Sequence, residues 1–123
     1  MKKKVLVVED HPDTRSVLVL MMERWGFEVV EARNGREAIT MVEANDFDLM
    51  VVDMAMPFVD GFDFVSRMRD RSKTANTPII AVTALDAPED RDRCLRAGCN
   101  DYLPKPFSFD DLKAKIDALL GGK

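Results

Sequence analysis

Apolar residues fall along the chain in short runs, and between the runs they recur at helical spacing. Residues 5–8 are apolar at every position, the pattern of a strand buried on both faces. Pro12 suits the first turn of a helix, and Val17/Leu18, Met21/Met22 and Trp25 follow at helical intervals until Gly26 ends it. Residues 28–32 alternate in character and predict a second, weaker strand. Asn34 with Glu37 has the spacing of a capping box and opens a helix through Ala38, Ile39 and Val42. Residues 49–53 predict the third strand, and Gly61, Phe64/Val65 and Met68 make a third helical stripe. Residues 78–83 predict the fourth strand. Asp86 with Glu89 is a second capping-box candidate, opening a short helix that Gly98 stops. Tyr102 and Leu103 lie in a brief fifth strand, and Ser108 caps a last helix carrying Phe109, Leu112, Ile116 and Leu119/Leu120.

Five strands alternating with five helices predict an α/β domain, a parallel sheet covered by helices on both faces. At 123 residues the chain has the length of one such domain. A hydrophobic share of 46% beside a charged share of 33% fits an ordinary folded protein and excludes a disordered one. The net charge of −4, with its signs interspersed, carries no nucleic-acid footprint. The basic start at residues 2–4 precedes an apolar stretch too short for a secretory signal, and no run reaches transmembrane length. A cytoplasmic location is expected, without contact to membrane or DNA. Cys94 and Cys99 match neither a zinc site nor a disulfide framework and are read as reduced thiols. Gly121, Gly122 and Lys123 read as a helix end with a frayed tail, or as the point where a longer chain was cut.

In an open parallel sheet, ligands bind at the carboxyl ends of the strands. There the first strand delivers Glu9 and Asp10, the third Asp53, the fourth Thr83, and Lys105 follows the fifth. Asp53 is the informative one, because it closes the apolar run LMVVD, and burying an unpaired carboxylate costs several kcal/mol. Three carboxylates at one edge repel one another unless a cation sits among them. A hard divalent ion of the Mg²⁺ type suits such oxygens, and an ammonium with a hydroxyl opposite suits a phosphoryl group. The set therefore reads as a phosphoryl-transfer site with a carboxylate nucleophile.

The segments VVEDHPDTR, VVDMAMPFVDG, IIAVTAL and AGCNDYLPKPF carry a resemblance to the receiver domains of bacterial two-component response regulators. The likeness spans essentially the whole chain, residues 1–123, with no output domain expected. It implies a single doubly wound, flavodoxin-like domain with strand order 2-1-3-4-5 and five helices. It also implies that Asp53 is the phosphoacceptor. Mg²⁺, with Mn²⁺ as a substitute, would be held by Glu9, Asp10 and Asp53 and by the backbone carbonyl of Ala55. Thr83 would be the switch hydroxyl, Tyr102 its rotating aromatic partner, and Lys105 the phosphoryl ligand before a cis Lys105–Pro106 peptide. The implied donor is a sensor histidine kinase or a histidine phosphotransfer protein. The implied output partner, a protein or domain, binds the face made by helix four, strand five and helix five. A monomer or a weak phosphorylation-dependent dimer is expected, which catalyses its own phosphorylation and dephosphorylation but is otherwise no enzyme.

Plainer readings stand beside these. Each site residue alone fits a turn, cap, core or surface role. Glu9 and Asp10 fit a cap for the first helix, and His11 reads as an exposed loop residue. Met54 and Met56 follow Asp53 and are expected to line the loop around the site. The charges at Asp90, Arg91, Asp92, Arg93 and Arg96 read as a solvated face, or as a docking face that phosphorylation reshapes. Rival functions are a constitutive docking module of the same fold, an aspartyl-phosphate hydrolase and a flavin carrier. Many receivers carry polar side chains at the positions of Ala55 and Leu85. Slow hydrolysis of a phosphorylated Asp53 is therefore expected here.

Overall fold

A computed structural model describes residues 2–55, 60–84 and 87–121. Its elements run β1 (Lys4–Val8), α1 (Pro12–Arg24), β2 (Glu28–Ala32), α2 (Gly35–Ala44), β3 (Leu49–Val52) and α3 (Gly61–Arg69). They continue with β4 (Ile79–Thr83), α4 (Pro88–Ala97), β5 (Asp101–Pro104) and α5 (Phe109–Leu119). The strands form one sheet of order β2-β1-β3-β4-β5, with every neighbouring pair parallel. The parallel pairing is the one that the strict alternation predicts, and the strand order is the one that the resemblance implies.

Side chains of a strand point alternately to its two faces, and the core divides accordingly. Leu6, Val8, Met50, Val52, Ile79 and Ala81 face one way, against Val42, Phe64, Val65, Met68 and Cys94 of α2, α3 and α4. Val5, Val7, Leu49, Val51, Ile80 and Val82 face the other, against Leu18 and Met22 of α1 and Leu112 and Ile116 of α5. Trp25 and Phe109 meet edge-on, with ring centroids 6.3 Å apart, where the end of α1 passes the start of α5.

The caps refine the expected boundaries. Asn34 accepts from the Glu37 N–H at 2.8 Å, but the Glu37 carboxylate reaches the N–H of Arg33 rather than that of Asn34. Its ion pair with the Arg33 guanidinium draws it that one residue further. Helix α1 is capped by His11, whose Nδ1 accepts from the Thr14 N–H at 3.4 Å. His11 is thus a cap and not merely a loop residue, and that role does not fall to Glu9 or Asp10. Asp86, expected to cap α4, lies outside the described residues; the Asp90 carboxylate accepts from the Ala87 N–H at 3.2 Å. Asp60 caps α3 through the Asp63 N–H at 2.8 Å, a cap that the apolar pattern did not mark.

Gly98 ends α4 at φ 123, a left-handed conformation that glycine adopts without steric cost. The Arg69 side chain packs where a Cβ on Gly98 would stand. Its guanidinium donates to the carbonyls of Gly98, Thr74, Ala75 and Thr77 and to Asn100 Oδ1. One cation thereby ties the ends of α3 and α4 to the start of β5.

Candidate functional site

Register places the acidic residues side by side. Val8 pairs with Val52, so the residues after them, Glu9 and Asp53, leave the sheet at the same level. Both are still held by the ladder: the Glu9 N–H donates to Ala32 at 3.0 Å and the Asp53 N–H to Val8 at 2.9 Å. Strand β3 closes at Val52, which leaves Asp53 just beyond the strand expected to include it. Rigid strands on either side fix both carboxylates at the carboxyl edge.

Glu9 and Asp53 are buried, at 1% and 6% exposure, whereas Asp10 is exposed. Carboxylate oxygens of all three lie within 4.8 Å of one another. Lys105 enters between them from the segment after β5, donating to Glu9 Oε1 and, at 3.3 Å, to Asp53 Oδ2. The remaining oxygens meet backbone donors. His11 N–H reaches Glu9 Oε2 at 3.1 Å, and Ala55 N–H reaches Asp53 Oδ1 at 3.0 Å.

Burial pushes the Glu9 carboxyl up to about 7, and the negative charge of Asp53 adds to this. The hydrogen bonds from Lys105 and His11 pull the other way without winning. For Lys105, burial disfavours the charged ammonium, but the bonds and charges of Glu9 and Asp53 outweigh it and raise its pKa. One ammonium does not balance three close carboxylates. Three oxygen donors, one of them solvent-facing, suit a hard divalent cation that retains several waters. Glu9, Asp10 and Asp53 thus form an acidic pocket fit for Mg²⁺.

Thr83 closes β4, buried, and its carbonyl accepts from the Lys105 N–H at 2.8 Å. Tyr102 pairs in register with Ala81 and is buried at 7% exposure. The Lys105–Pro106 peptide is cis. Ala55 is exposed and joins the cluster through its N–H. Of the residues singled out from the sequence, Glu9, Asp10, Asp53 and Lys105 therefore meet directly. Thr83 joins through the backbone of Lys105, and Tyr102 sits further along the sheet. Met54 is buried in the core rather than lining the rim; Met56 and Leu85 lie outside the described residues.

Two further residues reach the site, from the ends of the segments VVDMAMPFVDG and VVEDHPDTR. Gly61 brings the start of α3 against the backbone of Asp53 and Met54. Arg15, on α1, donates to the Glu9 carbonyl at 3.0 Å. A lone arginine on a helix reads as a solvated charge until the tertiary structure gives it a partner.

A family model described as the response regulator receiver domain matches residues 5–117. The chain belongs to that family. This receiver is similar, at 46% identity over 102 residues, to an uncharacterized 14.6 kDa protein of Leptolyngbya boryana, covering 83% of this chain and 78% of that one. It is 34% identical over 120 residues to the phosphate regulon transcriptional regulatory protein PhoB of Escherichia coli. That match covers 98% of the receiver but 52% of PhoB, so the chain spans about half of that regulator's length. Among solved structures it resembles the receiver domain of the sensor histidine kinase PA1611 from Pseudomonas aeruginosa PAO1, which holds a magnesium ion in its active site cleft. The TM-score is 0.91 at 32% identity, over 98% of this chain and 99% of that one. Among the described residues, no helix is long and apolar enough to cross a membrane.

Proposed function

We propose that this receiver takes a phosphoryl group from a phosphohistidine onto Asp53, with Mg²⁺ bound by Glu9, Asp10, Asp53 and the carbonyl of Ala55. The clustering of three carboxylates around Lys105 at the carboxyl edge of the sheet carries this reading. The Ala55 N–H and the Lys105 ammonium orient the two Asp53 oxygens before any donor arrives. An Asp53 oxygen attacks phosphorus, an O–P bond forms, and the P–N bond to the donor imidazole breaks with its electron pair left on nitrogen. A bound Mg²⁺, or Mn²⁺ in its place, supplies neutralisation of charge on the phosphoryl oxygens. Lys105, already 3.3 Å from Asp53 Oδ2, is placed to follow a phosphoryl oxygen once the carboxylate becomes an acyl phosphate.

The donor is a sensor histidine kinase or a histidine phosphotransfer protein. Thr83 and Tyr102 then bias a two-state equilibrium, and the face of α4, β5 and α5 presents the outcome to an output protein or domain. Leu95 on α4, 38% exposed, offers that face an apolar contact, and the Lys115–Asp101 pair at 3.1 Å links β5 to α5 across it. The receiver catalyses its own phosphorylation and hydrolysis and turns over no other substrate.

Incubation with acetyl phosphate and Mg²⁺, followed by intact-mass measurement, tests the reading. One phosphoryl adduct is expected on the wild type, lost with a chelator and absent in Asp53→Asn. An unmodified wild type would sink it and leave a docking module of the same fold, and an unchanged adduct in Asp53→Asn would sink Asp53 as the acceptor.

A further inference from the structure

Between the end of β1 and the start of α1 the chain spends three residues, Glu9, Asp10 and His11, and two of them carry carboxylates of the metal pocket. So short a link places its carboxylates only as well as its peptide planes are fixed. The Arg15 guanidinium fixes one of them. Its side chain is only 13% exposed, and it forks: Nη1 donates to the Glu9 carbonyl at 3.0 Å, and Nε donates to Glu31 Oε1 of β2 at 3.0 Å. The Glu9 carbonyl belongs to the peptide that leads into Asp10, so the bond sets the direction in which Asp10 leaves the sheet. The Arg15 backbone N–H also holds the far end of the link, at the His11 carbonyl, 2.9 Å away.

We infer that Arg15 is a positioning residue for the metal pocket, clamping the Glu9–Asp10 peptide between α1 and the Glu31 carboxylate of β2. This rests on the Mg²⁺ reading proposed above. Two possible roles of Arg15 have opposite signs. As a bare positive charge near three carboxylates it would oppose a divalent cation, and its removal would tighten binding. As a clamp it preorganises the pocket, and its removal weakens binding; groups that orient metal ligands typically matter by tenfold or more. Two bonds from a rigid fork, on a side chain largely out of water, favour the clamp.

Titration calorimetry of the intact chain with MgCl₂ tests the inference on the wild type, Arg15→Met and Arg15→Lys. Arg15→Met is expected to weaken Mg²⁺ about tenfold. Arg15→Lys keeps the charge but lacks the planar fork, and is expected to weaken it by a smaller factor. Hydrogen exchange at the Asp10 and His11 amides should quicken in both variants and stay unchanged in Lys113→Met, a change on α5. Unchanged or tighter Mg²⁺ binding by Arg15→Met would overturn the inference, as would unchanged binding by Arg15→Lys should Arg15→Met fail to fold. A wild type that binds no Mg²⁺ would overturn the metal reading itself, and this inference with it. Binding by the wild type with unaffected variants would overturn this inference alone.

Discussion

Replacing Gly61 with alanine puts a methyl group where α3 meets the backbone of Asp53 and Met54. A Cβ at this position would lie 2.3 Å from the Met54 Cα, 2.7 Å from the Asp53 carbonyl oxygen and 2.9 Å from the Met54 sulfur. Ordinary contact begins at 3.4 Å, so the two segments must part by roughly an ångström in a close-packed interior. The sulfur can swing away; the two backbone atoms cannot do so cheaply. Asp53 is held by its bond to Val8, and Gly61 by its own N–H bond to the Met54 carbonyl at 3.2 Å. Overpacking of this kind costs about 1–3 kcal/mol. Alanine's better helix propensity returns at most about 1 kcal/mol, and less at a first helical position. A net loss of about 1–2 kcal/mol is expected, seen as a lower urea midpoint at unchanged slope in Trp25 fluorescence.

The strain falls on the peptide that joins Asp53 to Met54, so the rate of adduct formation with acetyl phosphate should drop even where the variant is fully folded. Asp60→Ala is the control. It removes the cap of the same helix, at a cost of about 1 kcal/mol, without pressing on Asp53. Equal stability of Gly61→Ala and wild type would refute the steric reasoning. Equal loss of phosphorylation in Asp60→Ala would refute the link to Asp53.

Arg69→Met should destabilise by about 3 kcal/mol, because it strips hydrogen bonds from four carbonyls and from Asn100; a urea midpoint within error of wild type would show that water replaces the guanidinium freely. Burial pushes the Cys94 and Cys99 thiols up to about 11 and about 12, so both should resist a thiol reagent at pH 8 until denaturant is added, and rapid labelling of the native protein would contradict their burial. Raised thiol values also mean that this stability is fully present below the ordinary value of 9.0. It is lost as pH rises through 11 and 12, because the unfolded chain ionises first. Cys99→Ala should flatten that alkaline fall. Ala55→Asn, which adds a polar side chain at an exposed position beside Asp53, should shorten the lifetime of the phosphorylated state; an unchanged decay of the adduct mass would discard that idea.

Much of the fold is legible in periodicity. Continuous apolar runs at β1, β3 and β4 mark strands covered on both faces, and the helices between them carry apolar stripes that bury against the sheet. Boundaries shifted where hydrogen bonding outran hydrophobicity. Lys4 joins β1 through its ladder partners although its side chain is not apolar, and Asp53 keeps a ladder bond while falling outside β3. His11 became a cap because Pro12 fixes the first turn and leaves the preceding residue extended, with its ring over the Thr14 N–H. No local pattern distinguishes that ring from any exposed histidine.

The candidate site divides the same way. The sequence by itself determined which groups stand at strand ends, because a residue that follows an apolar run must emerge at that run's carboxyl edge. It could therefore nominate Glu9, Asp10, Asp53, Thr83 and Lys105 without any coordinates. What only the tertiary structure decided was register and reach. Pairing of Val8 with Val52 sets Glu9 beside Asp53, and the path of the chain after β5 carries Lys105 across to both. Arg15 on Glu9 and Gly61 against Asp53 each join a strand end to the helix that follows it, contacts fixed by how helices seat on the sheet. Local sequence encodes the direction of a side chain; only packing encodes what it meets.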